Sequence, residues 1–313
     1  MNTVHALGAA ALLVWSIVAP SAGVTNTSQS RADSASPIKV TLLGTGSPAP
    51  DVNRFSACIL VEVGRRRVLF DAGRGCVVRL QQARVSWPDV TAIFVTHLHS
   101  DHVLAIPDIL LTGWTSGRAA PLEVRGPEGT REMMTHLVQA YQFDIRTRVA
   151  NARQPPQVDA SDISPGEVYE RDGMTVTAFE VDHGEVKPAF GYRIDAGGQS
   201  VVLSGDTRFS ENLIRNAQGA DVLIHEVALG GQNLSAQQQF ALDLHTVPER
   251  AAEVFRRVRP RLAVYSHILL VGNVTADSLA ATTRRTYSGP LEIGLDLTVI
   301  EVGPRITVSR ITP

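Results

Sequence analysis

The sequence predicts an α/β fold in which two β-sheets pack together and helices cover both outer faces, within one domain. Short strand-like runs arrive both as meanders and as strand–helix units, and no repeat of roughly 20 to 50 residues recurs. No composition shift marks an internal boundary. The 313 residues, 44% hydrophobic and 19% charged, are enough for one large core. A net charge of −2 carries no basic footprint of the kind a dedicated nucleic-acid binder shows, so an extended polyanion would need a local basic groove.

Residues 6–20 are apolar apart from Ser16 and lead into Ser21-Ala22-Gly23, small residues suited to signal-peptide cleavage. The positive charge usual ahead of such a run is absent, since no Lys or Arg precedes Arg31. The run is too short for a stable membrane span. The expected organisation is a signal peptide over 1–23, a Ser-, Thr- and Ala-rich disordered linker over 24–36, and a hydrolase domain over 37–313. The mature protein is accordingly expected in the periplasm or outside the cell.

Strand runs follow at 38–43, 57–63, 67–70 and 91–95, with a helix at 75–83 before the last. Helices are predicted at 103–111 and at 129–143, the second behind the turn Gly126-Pro127. Later strands are predicted at 174–181, 190–194, 200–203, 222–224, 262–265 and 298–302. Helices at 210–217 and 248–258 lie among them, and Pro248 suits a first helical turn. Cys58 and Cys76 can pair in an exported protein, but spacing alone does not decide it.

The chemistry concentrates in His97-Leu98-His99-Ser100-Asp101-His102, which follows the apolar run 91–95. Imidazoles and carboxylates are the usual ligands of zinc and its first-row neighbours, and packing gives no reason to crowd four of them together. In extended backbone His97, His99 and Asp101 would point one way and His102 the other, enough for two adjacent metals. His183, Asp206 and His267 each sit just past a predicted strand, where layered α/β folds gather their sites.

This ordered set, with Asp182-His183, Gly205-Asp206-Thr207 and Ser266-His267, resembles the metal motifs of the metallo-β-lactamase superfamily over nearly the whole folded part. The resemblance implies an αββα sandwich holding two metals, usually zinc, with manganese or iron as possible replacements. It assigns His97, His99 and His183 to one metal, Asp101, His102 and His267 to the other, and Asp206 to both. Asp71, in Leu69-Phe70-Asp71-Ala72-Gly73, resembles the carboxylate that braces the ligand loop from outside. Two divalent metals less Asp101, Asp206 and a bridging hydroxide leave one positive charge, which favours an anionic ester.

Leu43-Gly44-Thr45-Gly46-Ser47-Pro48, Ser204-Gly205-Asp206-Thr207-Arg208 and His245-Thr246 resemble the ribonuclease Z-type branch. There the residue matching His245 implies a proton donor to the leaving group, so Asp101 at the metals and His245 are the candidate catalytic residues. Glu226 matches a motif glutamate beside the metals. Only residues 194–204 separate Gly191-Tyr192-Arg193 from Gly205-Asp206-Thr207, which leaves no room for a tRNA-gripping arm. With the leader, this looks more like the secreted arylsulfatase-like members. Trp114, Phe190, Tyr192 and Phe209 would then offer an apolar pocket, and Arg208 and Lys187 would hold the substrate's anion.

The expected function is therefore dinuclear zinc hydrolysis of small anionic esters, an aryl sulfate or a phosphodiester. The alternatives are a ribonuclease Z-like endoribonuclease acting on tRNA 3′ ends, with nucleic acid as partner, and a metal-binding scaffold without catalysis. The oligomeric state stays open, a homodimer included.

Overall fold

The computed structural model describes residues 37–150 and 154–312. The predicted leader and linker lie outside these residues.

In chain order the elements are β1 (Ile38–Gly44), β2 (Cys58–Val63), β3 (Arg66–Phe70), α1 (Cys76–Gln82), β4 (Ala92–Phe94), α2 (Ser100–Val103), α3 (Ile106–Thr115) and β5 (Leu122–Gly126). Then come α4 (Thr130–Ala140), α5 (Gln142–Val149), β6 (Val158–Asp162), β7 (Gly166–Arg171), β8 (Met174–Glu180), β9 (Phe190–Ala196) and β10 (Gln199–Leu203). The chain continues with α6 (Glu211–Asn216), β11 (Val222–Gly230), α7 (Ala236–Asp243), α8 (Pro248–Val258), β12 (Leu262–Val271) and α9 (Ala276–Arg284). It closes with β13 (Leu291–Ile293), β14 (Thr298–Val302) and β15 (Thr307–Arg310).

The strands form two sheets, one ordered β15-β14-β1-β2-β3-β4-β5-β6 and the other β13-β12-β11-β10-β9-β8-β7. Alternation along each strand builds the layers. Val68 and Phe70 point into the apolar cluster between the sheets, whereas Leu69 joins the cluster beneath the first sheet's outer helices. Val222 and Ile224 likewise face inward, and Leu223 packs outward with Phe255 of α8. The result is the expected αββα sandwich.

Each sheet has a parallel half, β3 to β6 in one and β10 to β13 in the other. The ligand segments leave or interrupt these halves, apart from His183, which follows β8 of the antiparallel half. β11 and β12 run further than predicted, because Val227-Ala228-Leu229 and Ile268-Leu269-Leu270 resume strand pairing beyond the polar motifs. His267 therefore lies within β12, at a register shift that sets Ser266 and His267 opposite Glu226, and not past a strand end. The predicted helix at 103–111 is instead a turn, α2, followed by α3 with Pro107 in its first turn. The predicted helix 129–143 breaks at Tyr141 into α4 and α5. The four edge strands β6, β7, β13 and β15 were not predicted, and neither were the inner strand β5 or helices α7 and α9. β6 and β15 are polar and largely exposed, without the buried alternation that marks the central strands.

Cys58 and Cys76 are joined as a disulfide between β2 and the start of α1, their Cα atoms 5.9 Å apart. No helix of the described residues is long and apolar enough to cross a membrane.

Candidate metal centre

β4 delivers the ligand hexapeptide to the rim. His99 keeps extended backbone, but from Ser100 the chain turns helical. Successive residues there rotate by roughly 100°, so Asp101 and His102 both swing to one side. This corrects the alternation expected from an extended loop: His97 and His99 group with His183, while Asp101 and His102 group with His267.

Asp206 lies between the groups. Its Oδ2 is 3.8 Å from His97 Nε2 and 4.0 Å from His183 Nε2 on one side. On the other side it is 3.3 Å from both His102 Nε2 and His267 Nε2. All seven sequence-predicted ligands thus converge. His102 Nε2, His183 Nε2 and Asp206 Oδ1 are buried without a hydrogen-bond partner. Burying such atoms unpaired is costly, and divalent cations at these positions would satisfy them. The donor set fits two metals.

The histidines are oriented from behind. His102 Nδ1 lies 2.7 Å from Asp71 Oδ2, and His183 Nδ1 lies 3.1 Å from the Leu244 carbonyl. Both partners only accept, so Nδ1 carries the proton and a neutral ring presents its Nε2 lone pair to the centre. Asp71 also accepts from the Thr96 backbone N–H at 2.8 Å, which places its carboxylate directly behind the hexapeptide. Thr96 was not anticipated: its hydroxyl lies 2.9 Å from Asp71 Oδ2 and 3.0 Å from His97 Nδ1. Its one sequence signal is its place directly before the hexapeptide.

Burial, reinforced by neighbouring imidazoles, lowers the His97, His99 and His183 pKa values, which keeps these rings neutral as ligands must be. At His102 burial is outweighed by the Asp206 and Asp71 carboxylates, which raise the pKa well above the ordinary value, so a cation bound there would have to displace the Nε2 proton to gain the neutral ring.

His245, between α7 and α8, reaches the same centre. Its ring centroid lies 5.3 Å from that of His183 and 5.4 Å from that of His267. Glu226 holds it: Oε2 is 3.2 Å from His245 Nδ1, while Oε1 accepts from the Thr246 N–H at 2.7 Å. Although burial disfavours the cation, Glu226 raises the His245 pKa to about 9.

The expected substrate pocket does not form. Tyr192 is fully buried between the sheets, donates to the Val95 carbonyl at 2.7 Å and packs on Phe70 and Phe94. Phe190 is equally buried, and Phe209 lies under the Arg250 guanidinium. Trp114 donates to the Gln154 carbonyl at 2.7 Å and lines a cleft with Arg118 and Gln157, apart from the ligands. The cavity directly beneath the ligands, about 40 Å³, is too small for an aryl group. Arg208 is committed to the Asp243 carbonyl at 2.7 Å. Lys187 is exposed and lines a surface cleft with Asp182 and Arg215.

A family profile described as Beta-lactamase superfamily domain matches residues 66–268. Relatives named Ribonuclease Z from Mycobacterium bovis and Mycolicibacterium gilvum are each 35% identical, over 86% of this chain and 99% and 98% of theirs. The chain belongs to the metallo-β-lactamase superfamily, in its ribonuclease Z-like branch.

Solved structures of this superfamily share the fold. The metallo-β-lactamase fold protein YhfI from Bacillus subtilis matches with a TM-score of 0.67 at 19% identity, covering 85% of this chain and 99% of that one. The short form of human tRNase Z gives 0.65 at 21%, with the same coverage. Within the ribonuclease Z-like branch the short β9–β10 connection loses its force against RNA. The Mycobacterium bovis relative matches over 278 residues and 99% of its length, which leaves no room there for a long arm that this chain lacks. The arylsulfatase-like pattern finds no support in these likenesses.

Proposed function

We propose that this chain is a two-metal phosphodiesterase that cleaves RNA, with zinc as the resident metal. The observation that carries the substrate class is the end-to-end 35% identity to relatives named for a ribonuclease. Of the expected small anionic esters, an aryl sulfate or a phosphodiester, the proposal keeps the phosphodiester and moves it from a small molecule to RNA.

His97, His99 and His183 would hold one cation, Asp101, His102 and His267 the other, and Asp206 both. When bound, the cations supply Lewis acidity and neutralise charge at the phosphoryl group. The chain's residues do the rest. Asp71 and the Leu244 carbonyl fix the ring orientation of His102 and His183. Glu226 Oε2 lies 3.2 Å from His245 Nδ1, an ion-pair distance, so the opposite ring nitrogen would be the one to protonate the departing ribose oxygen. An alkoxide is a poor leaving group, so an acid placed there matters. A scaffold without catalysis would have no use for it.

The assay uses zinc-loaded protein with a precursor tRNA carrying a 3′ extension, bis-nitrophenyl phosphate and nitrophenyl sulfate. Cleavage of the RNA and the phosphodiester, with the sulfate untouched, is expected; turnover of the sulfate alone would overturn the proposal. We also propose export, on the apolar run 6–20 and the small residues after it. N-terminal sequencing of protein from separated cell fractions should find the mature chain beginning near Gly23, and an intact Met1 chain in the cytoplasm would refute it.

A further inference from the structure

We infer that Asp296 is a positioning residue for the His267 side of the metal centre and acts through Thr45; the inference rests on the two-cation reading above. Asp296 lies in the connection from β13 to β14, where the chain crosses from one sheet to the other. Its buried carboxylate is saturated. Oδ1 accepts from the Thr45 N–H at 3.0 Å and the Thr45 hydroxyl at 2.8 Å. Oδ2 accepts from the Phe55 N–H at 2.8 Å and lies 3.0 Å from Arg79 Nη2, which compensates its charge.

Thr45 carries the effect across the seam. It follows β1 in the first sheet, yet its carbonyl accepts from the Ile268 N–H of β12 in the second at 2.8 Å. Ile268 directly follows His267, which adopts a left-handed backbone with φ of 44°. A non-glycine residue holds that conformation only where its surroundings impose it. The bond to Thr45 fixes the peptide immediately after His267, and so the direction in which Nε2 points. That atom lies 3.3 Å from Oδ2 of Asp101, in α2, which follows β4 of the first sheet. Among the described residues, no hydrogen bond links Asp296 or Thr45 to His97, His99 or His183. Loosening the anchor should therefore weaken one cation and spare the other.

Zinc equivalents and their affinities would be measured by chelator competition on wild type, Thr45→Val, Thr45→Ser and Asp296→Asn, with His267→Ala as the reference for loss of one side. Thr45→Val keeps the side-chain volume but removes the hydroxyl, whereas Thr45→Ser keeps the hydroxyl. The expected result is one equivalent at wild-type affinity and the other at least tenfold weaker in Thr45→Val and Asp296→Asn, with Thr45→Ser restoring both. Two equivalents at wild-type affinity in Thr45→Val would overturn the inference. So would equal weakening of both, or failure of both variants to fold, since Asp296 would then be a general structural residue. Fewer than two equivalents in wild type would defeat the two-cation reading itself, and this inference with it.

Discussion

His245 is the residue whose role separates catalysis from metal holding. Replacing it with alanine should leave metal content unchanged and cost roughly 100-fold or more in turnover of RNA, the scale of general-acid contributions. A nitrophenyl ester, whose leaving group needs no proton, should lose only a few-fold; equal losses on both would rule out the acid role. The pH profile carries the same information. Glu226 raises the His245 pKa to about 9 against its burial, and an acid works only while protonated. Turnover on RNA should fall as pH rises through that pKa, which bound cations move downward, so the falling limb should lie below pH 9 and vanish in His245→Ala. Asp206→Ala, by contrast, should lose metal and activity together. These ligands were legible in the sequence because imidazole and carboxylate clustering has no packing explanation. Thr96 and Asp296 were not, since an isolated threonine or aspartate acquires its meaning only from the partner that folding places beside it.

At the level of elements, backbone geometry aims the ligands. The central strands other than β5, and several of the outer helices, were readable from alternation, whereas α7, α9, β5 and the edge strands were not. The α2 turn and the shift within β12 were hidden because both are departures from periodicity inside the motifs themselves. Gly205 shows how tight this geometry is. Its φ is +61°, and a Cβ there would come within 2.3 Å of the Phe190 carbonyl oxygen, a backbone atom that cannot give way. Gly205→Ala should displace Asp206, lower zinc content to one equivalent or less, and destabilise the fold by more than the roughly 1–3 kcal/mol of left-handed strain alone. Gly198, with φ of +77° and nothing near its Cβ position, is the control. Gly198→Ala should pay the strain in a thermal melt yet keep both metals, and a Gly205→Ala protein with full metal content would contradict this account.

Across the whole molecule, the ligand set joins the two layers. His97, His99, Asp101 and His102 follow β4 of one sheet, whereas His183, Asp206 and His267 belong to segments of the other. Bound cations would therefore act as cross-links between sheets that otherwise meet through apolar packing and a few hydrogen bonds, such as those to the Thr45 and Val95 carbonyls. A ligand that binds only the folded chain stabilises it by about 4 kcal/mol when its concentration is about 1,000 times its Kd. Two such cations contribute about 8 kcal/mol together, and in a chain of this size each kcal/mol moves Tm by roughly 2–4 °C, so stripping both metals should lower Tm on the order of 20 °C. Calorimetry before and after chelation, followed by zinc restoration, would measure it. His267→Ala should show about half the shift, because it removes one cation's ligand and leaves the other set intact. An unchanged Tm in protein proven metal-free would mean that the sandwich is held by its core alone, and the cations would then serve chemistry without serving the fold.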